Sequence, residues 1–307
     1  MEINGYILDN ELKNANSGFS KWGFAKKDGS KYFIKEFINP VYPIDRGIMT
    51  DEVFNSKVNE CMKFERRMSR MFDSINRSSC GNLVRADEFF RFGSRYYLVT
   101  KKLSENSVTA EYISRLGKND KLFFLRTLAF CFHCLHSASL VHFDVKPDNV
   151  IAVCMPSGKF TAKLIDFDSG FFVGEEPNAD DLGGDLAYYS PEAFLKVYGE
   201  DVTIDEKSDI FSLGLLIHKY YSGELPGYAD MYDYPYEAVL DGAVLVPKFA
   251  AIPTELCNLI VSMLSREPSK RPDAYSVTGA LSGMMMRAES PPHEPPRDSW
   301  FRPAGDL

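Results

Sequence analysis

Residues 121–135, KLFFLRTLAFCFHCL, are apolar on nearly every side of a helix, and so are residues 210–217, IFSLGLLI. A helix without a polar face belongs at the centre of a domain. The chain must therefore build a large helical body around these two segments. Its 307 residues, 45% of them apolar, allow two domains or one large bilobal one, with no need of a disulfide or metal staple.

The first hundred residues have a different texture. Short alternating runs, KWGFAKK, SKYFIKEF, LVRADEFFRF and RYYLVTKKL, are separated by Asp28-Gly29 and Gly93-Ser94 and read as strands and hairpins. One helix, over roughly 51–76, interrupts them. Its positions 54, 58, 61, 65, 68, 72 and 75 form a stripe reading Phe, Val, Cys, Glu, Met, Phe, Ile. A carboxylate on a core-facing stripe is costly unless paired, so Glu65 calls for a buried cation on a neighbouring strand. The alternative is that Glu65 tilts out to water at the stripe's edge.

Asp and Glu total 43 against 35 Lys and Arg, a net charge of −8. That balance disfavours nucleic acid and anionic membrane and suits basic partners. The six cysteines are scattered and read as reduced thiols of a cytosolic protein. Cys131, His133, Cys134 and His136 lack zinc-site spacing and read as core. The start, MEINGYILDN, carries no secretory pattern, and no apolar run reaches the 18 residues of a membrane span. The expectation is a soluble, cytoplasmic protein.

The densest chemistry is His142-Phe143-Asp144-Val145-Lys146-Pro147-Asp148-Asn149, followed later by Leu164-Ile165-Asp166-Phe167-Asp168. This is a polar loop after a buried helix, then a short apolar strand ending in a carboxylate. Carboxylate and amide oxygens together suit Mg²⁺ that also binds phosphate. A remaining carboxylate can accept a hydroxyl proton.

These motifs resemble those of the eukaryotic-type serine/threonine protein kinases. Asp144 to Asn149 resembles the family's catalytic loop, Asp166-Phe167-Asp168 its Asp-Phe-Gly, and Ser190-Pro191-Glu192 its Ala-Pro-Glu. Ser208 to Gly214 resembles its central helix and Lys270-Arg271-Pro272 its late Arg. The resemblance implies an α+β bilobal kinase-like fold. Residues 1–103 would form a small antiparallel-sheet lobe with one main helix, and 104–284 a larger, mainly helical lobe. Residues 285–307 would be a Pro-rich flexible tail.

The resemblance also assigns roles. Lys35 would hold the α- and β-phosphates of ATP and pair with a helix Glu, the cation that Glu65 lacks. Asp144 would accept the substrate proton, and Lys146 would steady the transferred group. Asn149 and Asp166 would hold Mg²⁺, or Mn²⁺. Thr100 would be the gatekeeper, and the backbone from Lys101 to Leu103 the adenine-reading hinge. Ser17, Gly18, Ser20, Phe33 and Ile151 complete the expected nucleotide contacts. Arg271 would pair with Glu192. The implied activity is phosphoryl transfer from ATP to Ser or Thr of protein substrates, and the rival is a pseudokinase acting as scaffold or nucleotide sensor.

Departures from the pattern carry information too. Ala15-Asn16-Ser17-Gly18-Phe19-Ser20 replaces a glycine-rich loop. Phe33, sharing a strand face with Lys35, replaces a small residue roofing the adenine, and Trp22 adds bulk beside it. Asp168 replaces a Gly and reads either as a third carboxylate at the metal or as a solvated or N–H-capping Asp. Phe143 replaces the Arg that would grip a phosphate on the activation segment. Between Asp168 and Ala187 that segment has one hydroxyl residue, Ser169, among Glu175, Glu176, Asp180, Asp181 and Asp185. Receptor and phosphosite are missing together, so activity should not depend on phosphorylation there. The carboxylates would be solvated or recruit basic substrates.

Overall fold

A computed structural model describes residues 1–14, 20–78, 81–103, 107–247 and 252–289. The strands are β1 (Glu2–Ile3), β2 (Tyr6–Leu8), β3 (Lys13–Asn14), β4 (Ser20–Lys27) and β5 (Ser30–Phe37), then, after helix α1 (Asp51–Ser78), β6 (Glu88–Phe92) and β7 (Arg95–Lys101). They form one antiparallel sheet in the order β1-β2-β4-β5-β7-β6, with β3 on β4. The β4–β5 turn places both Asp28 (φ 49°) and Gly29 (φ 74°) in the left-handed region, as a two-residue hairpin turn that matches strand twist requires.

Register decides what this sheet presents. Lys35 stands opposite Trp22 and Leu98, and Phe33 opposite Phe24 and Thr100. Directly opposed residues share a face, so these six side chains point the same way. The other face buries Ala25, Ile34, Tyr97 and Val99 under Ile3, Tyr6 and Leu8. Further along the first face, Phe37 and Tyr96 pack against α1.

The phase of α1 differs from the expected stripe at one place. Its buried residues are Cys61, Met68, Met71, Phe72 and Ile75, and the inward position between Cys61 and Met68 belongs to Phe64. That ring lies 5.3 Å from Phe37 and 5.2 Å from Tyr96. Burying an aromatic ring is favourable where burying a carboxylate is costly, so the helix turns Phe64 inward and Glu65 out to solvent.

The second lobe contains β8 (Ser107–Val108), α2 (Ala110–Ser114), α3 (Lys118–His136), β9 (Leu140–Val141), β10 (Val150–Cys154), β11 (Phe160–Leu164), β12 (Phe171–Phe172), α4 (Pro191–Val197), α5 (Glu206–Ser222), α6 (Pro235–Leu240), α7 (Thr254–Met263) and α8 (Ala274–Glu289). The two all-round apolar segments lie within α3 and α5, buried along most of their length. Gly214 lets α5 approach α7 closely: a Cβ there would stand 3.0 Å from that of Met263. Helix α8 runs to Glu289, five residues beyond the expected lobe boundary. The Pro-rich stretch from 290 onward lies outside the described residues.

Cys61, Cys131, Cys154 and Cys257 are free thiols, but Cys134 is disulfide-bonded. The expectation of six reduced cysteines therefore fails, and the cysteines give no argument for a reducing compartment. Among the described residues no helix is long and apolar enough to cross a membrane.

Candidate active site

The site lies where the sheet's aromatic face meets the β10–β11 hairpin. Val150 pairs with Leu164 across that hairpin, and one step further the Ile165 N–H donates to the Asn149 carbonyl at 3.0 Å. Asn149 and Asp166 therefore leave the hairpin side by side.

The loop before β10 is held from α5. The Asp209 carboxylate accepts the His142 N–H at 2.8 Å and the Phe143 N–H at 2.9 Å, and lies 2.9 Å from His136 Nε2. Phe143 has φ 65° and Asp166 φ 62°, conformations that are costly for such residues and persist only where the surroundings impose them. Sequence reasoning named Asp209 only as part of a motif and missed this role. The available signal was a carboxylate entering an otherwise apolar helix, which burial demands be satisfied.

Asp144 Oδ2 accepts from Asn149 Nδ2 at 2.8 Å and pairs with Lys146 Nζ at 2.8 Å. Its Oδ1 is buried and has no hydrogen-bond partner. An orphaned buried acceptor is costly, and a substrate hydroxyl is the kind of donor that would satisfy it. Asn149 Nδ2 also donates to the Asp144 carbonyl at 2.7 Å. With its amide nitrogen so engaged, Asn149 offers its oxygen, which together with the Asp166 carboxylate makes a hard-oxygen set. Two protein ligands of this kind fit Mg²⁺ that takes its remaining oxygens from phosphate and water.

Lys35 Nζ lies 2.7 Å from Asp166 Oδ1 and 2.6 Å from Asp168 Oδ2, its side chain 10% exposed. The expected Lys35–Glu65 pair is absent: Glu65 is exposed and has no ion pair among the described residues, because Phe64 holds the inward position. Asp168, half-buried, is neither free in solvent nor an N–H cap among the described residues; it is a partner of Lys35. Burial pulls the Lys35 pKa down, but Asp168 and then Asp166 outweigh it and raise the pKa. Burial pushes Asp168 up to about 6, with Lys35 opposing and the Asp166 charge adding. Asp166 is held below the usual carboxylate range, Lys35 outweighing burial.

A cavity of about 620 Å³ opens beside these groups. Ser20, Phe33, Lys35, Thr100, Lys101, Leu103, Asn149, Ile151 and Asp166 all line it, whereas Glu65 does not. Ser17 and Gly18 lie outside the described residues. Trp22, Phe24 and Phe33 form its roof, Trp22 stacking on Phe33 at 5.9 Å.

Beyond the cavity, Phe143 packs against Phe171 at 5.7 Å and Tyr189 at 5.5 Å, filling with rings the place of a charged receptor. Of the segment's carboxylates, Glu175 takes a two-pronged contact from Arg70 at 2.8 Å and Glu176 pairs with Lys196 at 3.2 Å. Asp185 caps the Ala187 N–H, whereas Asp180 and Asp181, and Glu175 despite its contact, stand exposed as expected of solvated groups. Arg271 forks onto Glu192 at 2.6 and 2.8 Å, fully buried.

Residues 51–280 match the model of the protein kinase domain. The chain is 30% identical over 183 residues to serine/threonine-protein kinase A of Synechocystis, covering 54% of this chain and 34% of that protein. It is 29% identical over 205 residues to serine/threonine-protein kinase PSK2 of Saccharomyces cerevisiae, covering 65% of this chain and 17% of that protein. The match thus spans about a third of the first relative's length and less of the second's.

Proposed function

Because this chain belongs to the protein kinase family, we propose that it transfers the γ-phosphoryl group of ATP to Ser or Thr hydroxyls of protein substrates. The carrying observation is Asp144, with one oxygen fixed by Lys146 and Asn149 and the other buried without a partner. Asp144 would accept the hydroxyl proton as the substrate oxygen bonds to the γ-phosphorus and the bond to the β-phosphate oxygen breaks. Lys146 would offset charge on the transferred group, and Lys35 would hold the α- and β-phosphates. Asn149 and Asp166 would hold Mg²⁺, or Mn²⁺, which supplies charge neutralisation between the phosphates. The Lys101–Leu103 backbone would read the base beneath the aromatic roof, with Thr100 as gatekeeper and Ser17, Gly18, Ser20 and Ile151 as further contacts.

Activity independent of activation-segment phosphorylation belongs to the proposal, supported by the ring cluster around Phe143 and the Arg70–Glu175 contact. Proteins are the proposed partners, basic ones favoured by the net charge of −8, rather than nucleic acid or membrane. A cytoplasmic setting, where ATP is at hand, completes the reading. One observation favours the pseudokinase rival: Lys35 occupies an oxygen of Asp166, the proposed metal ligand. Labelled ATP with Mg²⁺ and a generic basic protein decides between them. Transfer that is lost in Asp144→Asn establishes the enzyme; nucleotide binding without transfer establishes the rival.

A further inference from the structure

Lys35 is the buried end of an ion-pair system whose usual helix member faces water. In its place stand two carboxylates, Asp166 at 2.7 Å and Asp168 at 2.6 Å. The two are not equivalent. Asp166 and Asn149 line the cavity, and Asp168 does not. A cation on Asp166 would share that carboxylate with Lys35, whereas Asp168 lies off the cavity, committed to Lys35 through Oδ2 while its Oδ1 is buried and unpartnered. A half-buried carboxylate with one oxygen sealed from water and short of donors is costly unless a cation holds it.

The backbone around Asp168 is also fixed. The Gly170 N–H donates to the Phe167 carbonyl at 2.9 Å, closing a turn about Asp168. A Cβ on Gly170 would stand 2.9 Å from that carbonyl and 3.0 Å from the Val141 carbonyl. Arg67 of α1 donates to the Gly170 carbonyl at 3.3 Å. Helix α1 thus touches the segment that carries Asp168 without touching Lys35 through Glu65.

We propose that Asp168 is the positioning residue for Lys35, doing from the metal-binding segment what a carboxylate on α1 does elsewhere. On binding nucleotide, Lys35 exchanges Asp166 for phosphate oxygens and keeps Asp168. The placement of Lys35 is thereby independent of Glu65. This deepens, and rests on, the phosphoryl-transfer reading, so its test includes a measurement that needs no turnover.

Acylation of Lys35 by an amine-reactive ester, read peptide by peptide by mass spectrometry at one pH, reports how firmly its ammonium is paired. Asp168→Asn should speed Lys35 labelling by about 3–10-fold, because an opposite charge that favours the ammonium is gone. Asp168→Glu should restore slow labelling, and Glu65→Gln should leave the rate within about twofold of native. In turnover, Asp168→Asn should lower kcat by about 10–100-fold through misplaced phosphates while KM for the protein substrate holds. Unchanged labelling in Asp168→Asn, or faster labelling in Glu65→Gln, overturns the proposal. Circular dichroism checks folding; if Asp168→Asn unfolds, Asp168→Gly replaces it with the same expected acceleration. A native protein without transfer, but with labelling that responds to Asp168, refutes the phosphoryl-transfer reading and leaves the anchoring intact.

Discussion

The two walls of the cleft are built on different terms. On the C-terminal side, the main charged groups are cross-braced. Asp209 holds two loop N–H groups, Lys146 and Asn149 hold Asp144, and Arg271 forks onto Glu192 while donating to the Ser265 and Lys207 carbonyls. On the N-terminal side, the phosphate loop and the roof depart from the family pattern, and the helix carboxylate faces water. Proton acceptance and metal binding need groups fixed to a fraction of an ångström. Holding a flat base needs only an apolar slot of suitable width. On that reasoning the apolar roof should tolerate replacement better than the braced groups.

The largest expected effect lies on the braced wall. Asp144→Asn should lower kcat by about 10²–10⁴-fold with nucleotide affinity nearly unchanged. Parallel loss of ATP binding, measured by calorimetry, would show that this wall also carries recognition. Next is Glu192→Gln, which leaves Arg271 buried without its counter-charge and should cost about 3–5 kcal/mol in urea unfolding. A cost below about 1 kcal/mol would mean that the carbonyls around Arg271 suffice alone.

On the looser wall the effects should be smaller and different in kind. Phe33→Ala should admit base analogues enlarged on the face under the roof and change ATP affinity by about tenfold or less, the range of a modest reshaping of an apolar pocket. Loss of folding instead would place Phe33 in the structural core. The smallest effect is expected for Ser169→Ala and for phosphatase treatment, both leaving activity within about twofold. A large drop traced to phosphate between residues 169 and 187 would make the ring cluster around Phe143 insufficient to order the segment.

Much of this architecture was legible before any coordinates. The all-round apolar runs marked α3 and α5, Asp28-Gly29 marked a hairpin, and strand alternation placed Phe33 beside Lys35. The buried Arg271–Glu192 pair was likewise anticipated. The misplacement of Glu65 has a clear physical origin. Along α1, spacing alone cannot say whether position 64 or 65 faces inward, because both fit a helical stripe to within part of a turn. The choice is made by what the sheet offers: Phe37, Phe89 and Tyr96 present rings that Phe64 can meet.

The order of motifs thus determined the family and the two-lobed plan, and it named the candidate reactive groups, because those depend on local pattern and on residue chemistry. Which carboxylate answers Lys35 was decided only by the tertiary structure. Asp168 is 133 residues from Lys35 in sequence, and its short approach exists only once the sheet and the β10–β11 hairpin are docked. An ion pair needs two charges within a few ångströms in a poorly solvated place, and sequence distance contains neither quantity.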